Sequence, residues 1–262
     1  MQWSELKSDH FIVYFSAQNE DFAAEVLDQA EEYYHSVAED LGYVRYSNFW
    51  KWENRVKVFI YPDHGMYLKA TGKPAWSHGM ADYKEKFIAS YVWGEGFMDT
   101  LLVHEIAHLI FRDFIGFKRN LPLWLDEGVA QWEERSARPV RKAMVRQLAQ
   151  DKLLFSLYNM MELNVRNIES TDTVYVHSVD TEAGRKKSIQ VSGKTLVDIY
   201  YLESFSLIGF LMEQYGAESF IVFCRQLRDG KDIDAALRHA YPQQVRSIDD
   251  LEKKWTKYLN KD

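Results

Sequence analysis

The chain has one cysteine in 262 residues, so no disulfide can form within it. That residue, Cys224, lies in Phe220-Ile221-Val222-Phe223-Cys224 and reads as a small buried side chain. No histidine is close to it in sequence, which argues against a nucleophile. A lack of disulfides fits the cytosol and many exported proteins alike. No run approaches the roughly 18 consecutive apolar residues of a membrane-spanning helix. Met1-Gln2-Trp3-Ser4-Glu5-Leu6-Lys7 lacks the apolar core of a signal peptide. Positive charge is in deficit: 32 Lys and Arg stand against 39 Asp and Glu, for a net charge of −7. That balance gives no reason to expect nucleic acid or an anionic membrane as partner. The short cluster Arg185-Lys186-Lys187 reads as a solvated turn. Internal repeats and low-complexity tracts are missing too.

What is present is a hydrophobic content of 47% and an aromatic content of 15%, enough for a well-packed globular protein of one large domain or two close lobes. His10 to Phe15 is rich in β-formers and reads as a strand. An acidic amphipathic helix is expected from about Asn19 to Leu41, stopped by Gly42. Arg55 to Tyr61 alternates polar and apolar residues and reads as a second strand. A short helix is expected over Met66 to Thr71, then strands over Gly79–Tyr83 and Lys86–Trp93. Beyond Gly96 the pattern turns helical. Helices are expected around 140–150, 197–215, 218–228, 233–241 and 248–259, with Ser247 and Asp250 as a capping box. A β-hairpin near 173–192 interrupts them. The fold class is therefore α+β, with a mixed-sheet lobe over 1–116 and a mainly helical lobe over 117–262.

The segment between these regions carries the chemistry. His104-Glu105-Ile106-Ala107-His108 lies in an apolar stretch without proline, with Asp99 as expected cap and Gly116 as stop. Histidines at i and i+4 share one helix face, so both imidazoles can reach one ion. Glu105 projects beside them, where it can take a proton from water. An apolar helix has little reason to bury two histidines and a glutamate unless something satisfies them. The alternative is a pair of core histidines bonded to carbonyls. After eighteen intervening residues comes Glu127, in Trp124-Leu125-Asp126-Glu127-Gly128, on a second helix led in by Pro122. A first-turn glutamate also complements a helix dipole, but that does not account for its apolar surroundings.

With this spacing the sequence resembles the gluzincin metallopeptidases, and Trp124-Leu125-Asp126-Glu127-Gly128-Val129-Ala130 is similar to the glutamate-ligand block of the M1 aminopeptidase group. The short chain is more similar to the small bacterial peptidase MA-like proteins than to full aminopeptidases. The resemblance implies a single zincin-like (thermolysin-like) catalytic domain, with the active-site helix between the two lobes. It implies Zn2+ held by His104, His108 and Glu127, and Glu105 as general base. Tyr201, in Tyr201-Leu202-Glu203-Ser204-Phe205, would be the transition-state hydrogen-bond donor, with Tyr200 as its nearest competitor. His78-Gly79-Met80-Ala81-Asp82-Tyr83 stands where those aminopeptidases carry a substrate-binding edge strand. Gly79, Met80, Ala81 and Asp82 are thus candidate substrate contacts, and Trp76, Tyr83 and Trp93 are candidates to line the same groove. Ala81 replaces the family's amine-binding glutamate, which departs from amino-terminal exopeptidase activity. Gln131 takes the position of a thermolysin-type aspartate that supports a ligand histidine. Relatives of this kind are often exported.

The expected activity is hydrolysis of peptide bonds by metal-activated water, with a peptide or protein as substrate. The competing expectation is a non-catalytic, zinc-containing protein that binds peptides or a partner. Glu105 argues against it, because a structural zinc site needs no carboxylate there and is usually cysteine-rich.

Overall fold

Alternating apolar residues build a sheet first. The computed structural model describes residues 2–42, 50–75, 77–94, 96–116, 121–179 and 186–260. Those residues are mixed α+β and divide into two units. The first is Met1–Phe114 with Glu133–Ser136; the second is Ile115–Trp132 with Ala137–Asp262.

In the first unit, β1 (Ser4–Lys7), β2 (Phe11–Phe15), β3 (Val56–Tyr61), β4 (Gly79–Asp82) and β5 (Phe87–Tyr91) form one sheet in the order β1-β2-β3-β5-β4. β2, β3 and β5 run parallel, and the outer strands β1 and β4 are antiparallel to their neighbours. The register carries Leu6, Val13, Val58, Ile88 and Ala81 across all five strands. Parallel neighbours need a crossover, and α1 (Glu20–Asp40) supplies it between β2 and β3. Ala23, Val26, Ala30 and Val37 of α1 are wholly buried, as are Phe11, Val13, Val56, Val58 and Ile60. Each valine or isoleucine so buried stabilises the unit by roughly 1.5–3 kcal/mol. A short helix, α2 (His64–Thr71), is capped by the Asp63 side chain. β4 has a single neighbour, β5, so its far edge is not paired within the sheet.

A π-helical turn over Phe97–Leu102 leads into α3 (Val103–Ile115). Gly96, at φ +97°, starts it from a conformation that side chains disfavour. Asp99, the expected cap, lies inside the π turn, and Gly96 occupies the cap position instead. A Cβ at Gly79 of β4 would meet the end of the Leu101 side chain at 2.7 Å, so a larger residue there must displace that leucine.

The second unit is helical apart from one hairpin. α4 (Leu123–Glu133) belongs to it except for its last residue. There follow α5 (Arg138–Gln150), α6 (Leu157–Glu162), the hairpin β6 (Thr173–Val179) and β7 (Lys186–Ser192), and then α7 (Gly193–Tyr215), α8 (Ala217–Arg228), α9 (Ile233–Ala240) and α10 (Ile248–Leu259). α6 was not legible in the sequence. Lys186 and Lys187 belong to β7 rather than to a turn, and Arg185 lies outside the described residues. α7 is the centre of this unit, packed by α5, α8 and α10. It is long and apolar enough to cross a membrane, but most of it is buried here. Cys224 is buried as expected, and that burial pushes its thiol pKa up.

Candidate metal centre and active site

α3 places His104, Glu105 and His108 in the first unit. One helical turn separates the histidines, and their Nε2 atoms lie 3.0 Å apart with the rings nearly perpendicular. His104 Nδ1 is 2.8 Å from Glu134 Oε1. A carboxylate at Nδ1 holds the ring proton there, which leaves a lone pair on His104 Nε2, facing His108. Two imidazole nitrogens that converge in this way can share one proton or one cation. His108 is buried, and its ring meets the edge of Tyr83, just past β4, at 6.0 Å. The Arg112 guanidinium lies over the Tyr83 ring at 5.3 Å from its centre.

Glu134 was missed in the sequence, where Gln131 was the expected support for a ligand imidazole. Gln131 makes no side-chain hydrogen bond among the described residues; its carbonyl accepts from Arg141. A signal did exist, because Glu134 follows Glu127 by seven residues, close to two helical turns.

Glu105 is half-buried on the same helix. It acts electrostatically on Tyr67 of α2. Burial raises the Tyr67 hydroxyl pKa, a hydrogen bond from Ser77 offsets part of this, and the Glu105 charge raises it further.

The second unit holds the other predicted residues. Glu127, in the first half of α4, is buried. Arg166 donates to its Oε1 at 2.9 Å and lies 3.5 Å from Asp126, which is fully buried. Arg166 was also missed, since nothing in its local sequence marks it. Gly128 has a packing reason to follow the glutamate: a Cβ there would meet the Ser204 carbonyl of α7 at 2.5 Å. The block after Trp124 is therefore tied to α7, the helix that carries both candidate tyrosines.

These two tyrosines differ sharply. Tyr200 is fully buried, and its hydroxyl donates weakly to the Met160 carbonyl at 3.5 Å. Burial drives its pKa up, and the Glu127 charge adds to the rise. Tyr201 is half-buried, with its ring perpendicular to that of Tyr200 at 6.2 Å.

The candidate substrate strand is an edge strand of the first unit. Gly79, Met80, Ala81 and Asp82 are all half-buried. Asp82 Oδ1 accepts from the Lys84 and Glu85 amides at 2.9 Å each, so this carboxylate closes the β4–β5 turn. Trp93 stacks with Tyr91 and His78, and Trp76 lies outside the described residues.

No protein-family model matches this chain, and neither does any curated protein.

Proposed function

We propose that this chain is a zinc-dependent hydrolase of peptide bonds, built on a zincin-like fold of the gluzincin kind. The observation that carries the reading is the convergence of His104 and His108 Nε2 at 3.0 Å, with Glu134 on the far nitrogen of His104. Imidazoles oriented by an outer carboxylate are what a zinc site requires. We assign the third ligand to Glu127 on its spacing from His108. Arg166 donates to the Glu127 carboxylate and holds it in place.

Zinc, when bound, supplies Lewis-acid polarisation of a water and of the scissile carbonyl. Glu105 takes the proton from the attacking water and passes it to the leaving amine. The Tyr201 hydroxyl donates to the carbonyl oxygen as it gains charge. An extended peptide pairs with the free edge of β4, where backbone groups supply the hydrogen bonds and the side chains need only fit. Ala81, where the resembling aminopeptidases carry their amine-binding glutamate, favours an internal peptide segment over a free amino terminus.

The test is zinc content by elemental mass spectrometry, beside cleavage of a panel of peptides and acyl amides. His108→Ala is expected to lose one zinc per chain relative to the parent, and to lose cleavage with it. Equal metal content in the two proteins would overturn the site. Zinc without cleavage of any peptide would favour the binding protein over the hydrolase.

A further inference from the structure

Away from α3, the first unit holds a second convergence of histidine and glutamate. His10 stands just before β2; Glu31 and His35 lie four residues apart on α1 and so share a helix face. One donor atom from each of the three lies within 4.8 Å of the other two. The His10 ring is 5% exposed. Its backbone N–H donates to Glu31 Oε1 at 2.8 Å, and its Nδ1 is 2.6 Å from Glu31 Oε2. The carboxylate thus holds both the chain and the ring of His10. Tyr34 lies flat against that ring at 3.8 Å, and His35 stands perpendicular to it at 5.6 Å.

An ion pair between α1 and β2 would explain His10 and Glu31, but it leaves two things over. His10 Nε2 makes no hydrogen bond among the described residues and is not one of their buried unpartnered atoms. His35 makes no hydrogen bond among them either, and its contacts are to the His10 and Tyr34 rings. A divalent ion can take the place of the proton between His10 Nδ1 and Glu31 Oε2, with the His35 imidazole completing the donor set. His35 is exposed, so this cluster is open to solvent on one side.

We infer that His10, Glu31 and His35 form a second metal site, one that takes a divalent transition ion such as Zn2+ or Cu2+ and clips α1 to the start of β2. Imidazole with carboxylate selects ions of this class over Mg2+ and Ca2+. Three protein donors with one open side leave room for water, so the ion exchanges with solvent. The inference does not depend on the zinc site of α3, since it uses none of its residues.

The experiment removes that first site and asks whether metal still binds. Untagged full-length His104→Ala/His108→Ala protein is titrated with Zn2+ by calorimetry, and its Cu2+ complex is read by electron paramagnetic resonance. We expect one ion per chain, with nitrogen hyperfine structure from two imidazoles. Adding His35→Ala should weaken binding at least about tenfold and remove one nitrogen. Because His35 is exposed, this change spares the fold, and His35→Gln serves as a second variant. No ion bound to the double variant overturns the inference. So does binding that neither His35 substitution alters. Failure of the α3 site shows separately, as equal metal content in the parent and the double variant.

Discussion

In α7 of the second unit, Glu203, Ser204 and Ser206 are all buried, and each is tied to other protein groups. Glu203 Oε1 accepts from the Phe155 amide at 2.6 Å, the Ser204 hydroxyl donates to the Tyr200 carbonyl, and Ser206 accepts from Trp255 Nε1 at 2.9 Å. In α3 of the first unit the buried polarity is arranged differently. Two donors of one kind, the Nε2 atoms of His104 and His108, point at each other. The α7 groups join unlike partners, donor to acceptor, although Glu203 Oε2 has no hydrogen-bond partner among the described residues. The α3 nitrogens make a matched pair that a shared proton or cation completes. A polar residue in an apolar helix is therefore no mark of a site by itself; convergence of like groups is.

The largest effect expected from this contrast is on Glu105. Glu105→Gln should leave zinc bound and slow peptide cleavage by about 10²–10⁴-fold, the usual contribution of a general base. Full activity would reduce α3 to the structural role that α7 plays. Next come the adjacent tyrosines of α7. Tyr201→Phe should cost about 10²–10³ in kcat with zinc still bound. Tyr200→Phe should leave kcat alone and cost about 1 kcal/mol in denaturant melts, because its bond to Met160 is internal. A reversal of these two results would move the catalytic role to Tyr200.

Within α7, Glu203→Ala strands the Phe155 amide and opens a void, which should cost about 2–4 kcal/mol of stability. Glu203→Gln keeps the acceptor and should stay within about 1 kcal/mol of the parent. The pH dependence has a definite sign. Burial raises the Glu203 pKa well above the usual value; the Phe155 amide offsets this only in part, and Glu252 adds to it. The folded protein thus holds this proton after the unfolded chain has released it. Its stabilising effect is complete below the ordinary glutamate pKa and fades as pH rises. Denaturant melts at acid and neutral pH should show the parent losing stability relative to Glu203→Gln as pH rises. A constant gap would mean that the carboxyl is ionised in the fold. Outside the ligand shell, Glu134→Ala should weaken zinc binding about 10–100-fold without abolishing it. No change in affinity would leave Glu134 as a packing residue.

The strands and long helices were legible because their periods are local. β2 and β3 alternate: one buries Phe11, Val13 and Phe15, the other Val56, Val58 and Ile60, as the pattern requires. α10 starts at Ser247, whose hydroxyl accepts from the Asp250 amide, as the capping pattern predicts. The short strand β1 and the helix α6 were not legible, since a few residues carry too little periodicity. The start of α3 was misread because an aspartate near a helix start is a common cap, and a π turn has no sequence pattern of its own.

The spacing of His104, Glu105, His108 and Glu127 was written in the chain, because helix geometry alone puts residues four apart on one face. The assignment of an outer carboxylate to Glu134 instead of Gln131 was not, nor was the pairing of Arg166 with Glu127, thirty-nine residues away. Which of Tyr200 and Tyr201 is buried depends on how α7 turns in its packing. The same holds for His10, Glu31 and His35, which meet only because α1 folds back over β2. Local periodicity is set by backbone geometry and survives in any context. Partnership between distant side chains exists only after the chain has folded, and so only the tertiary structure decides it.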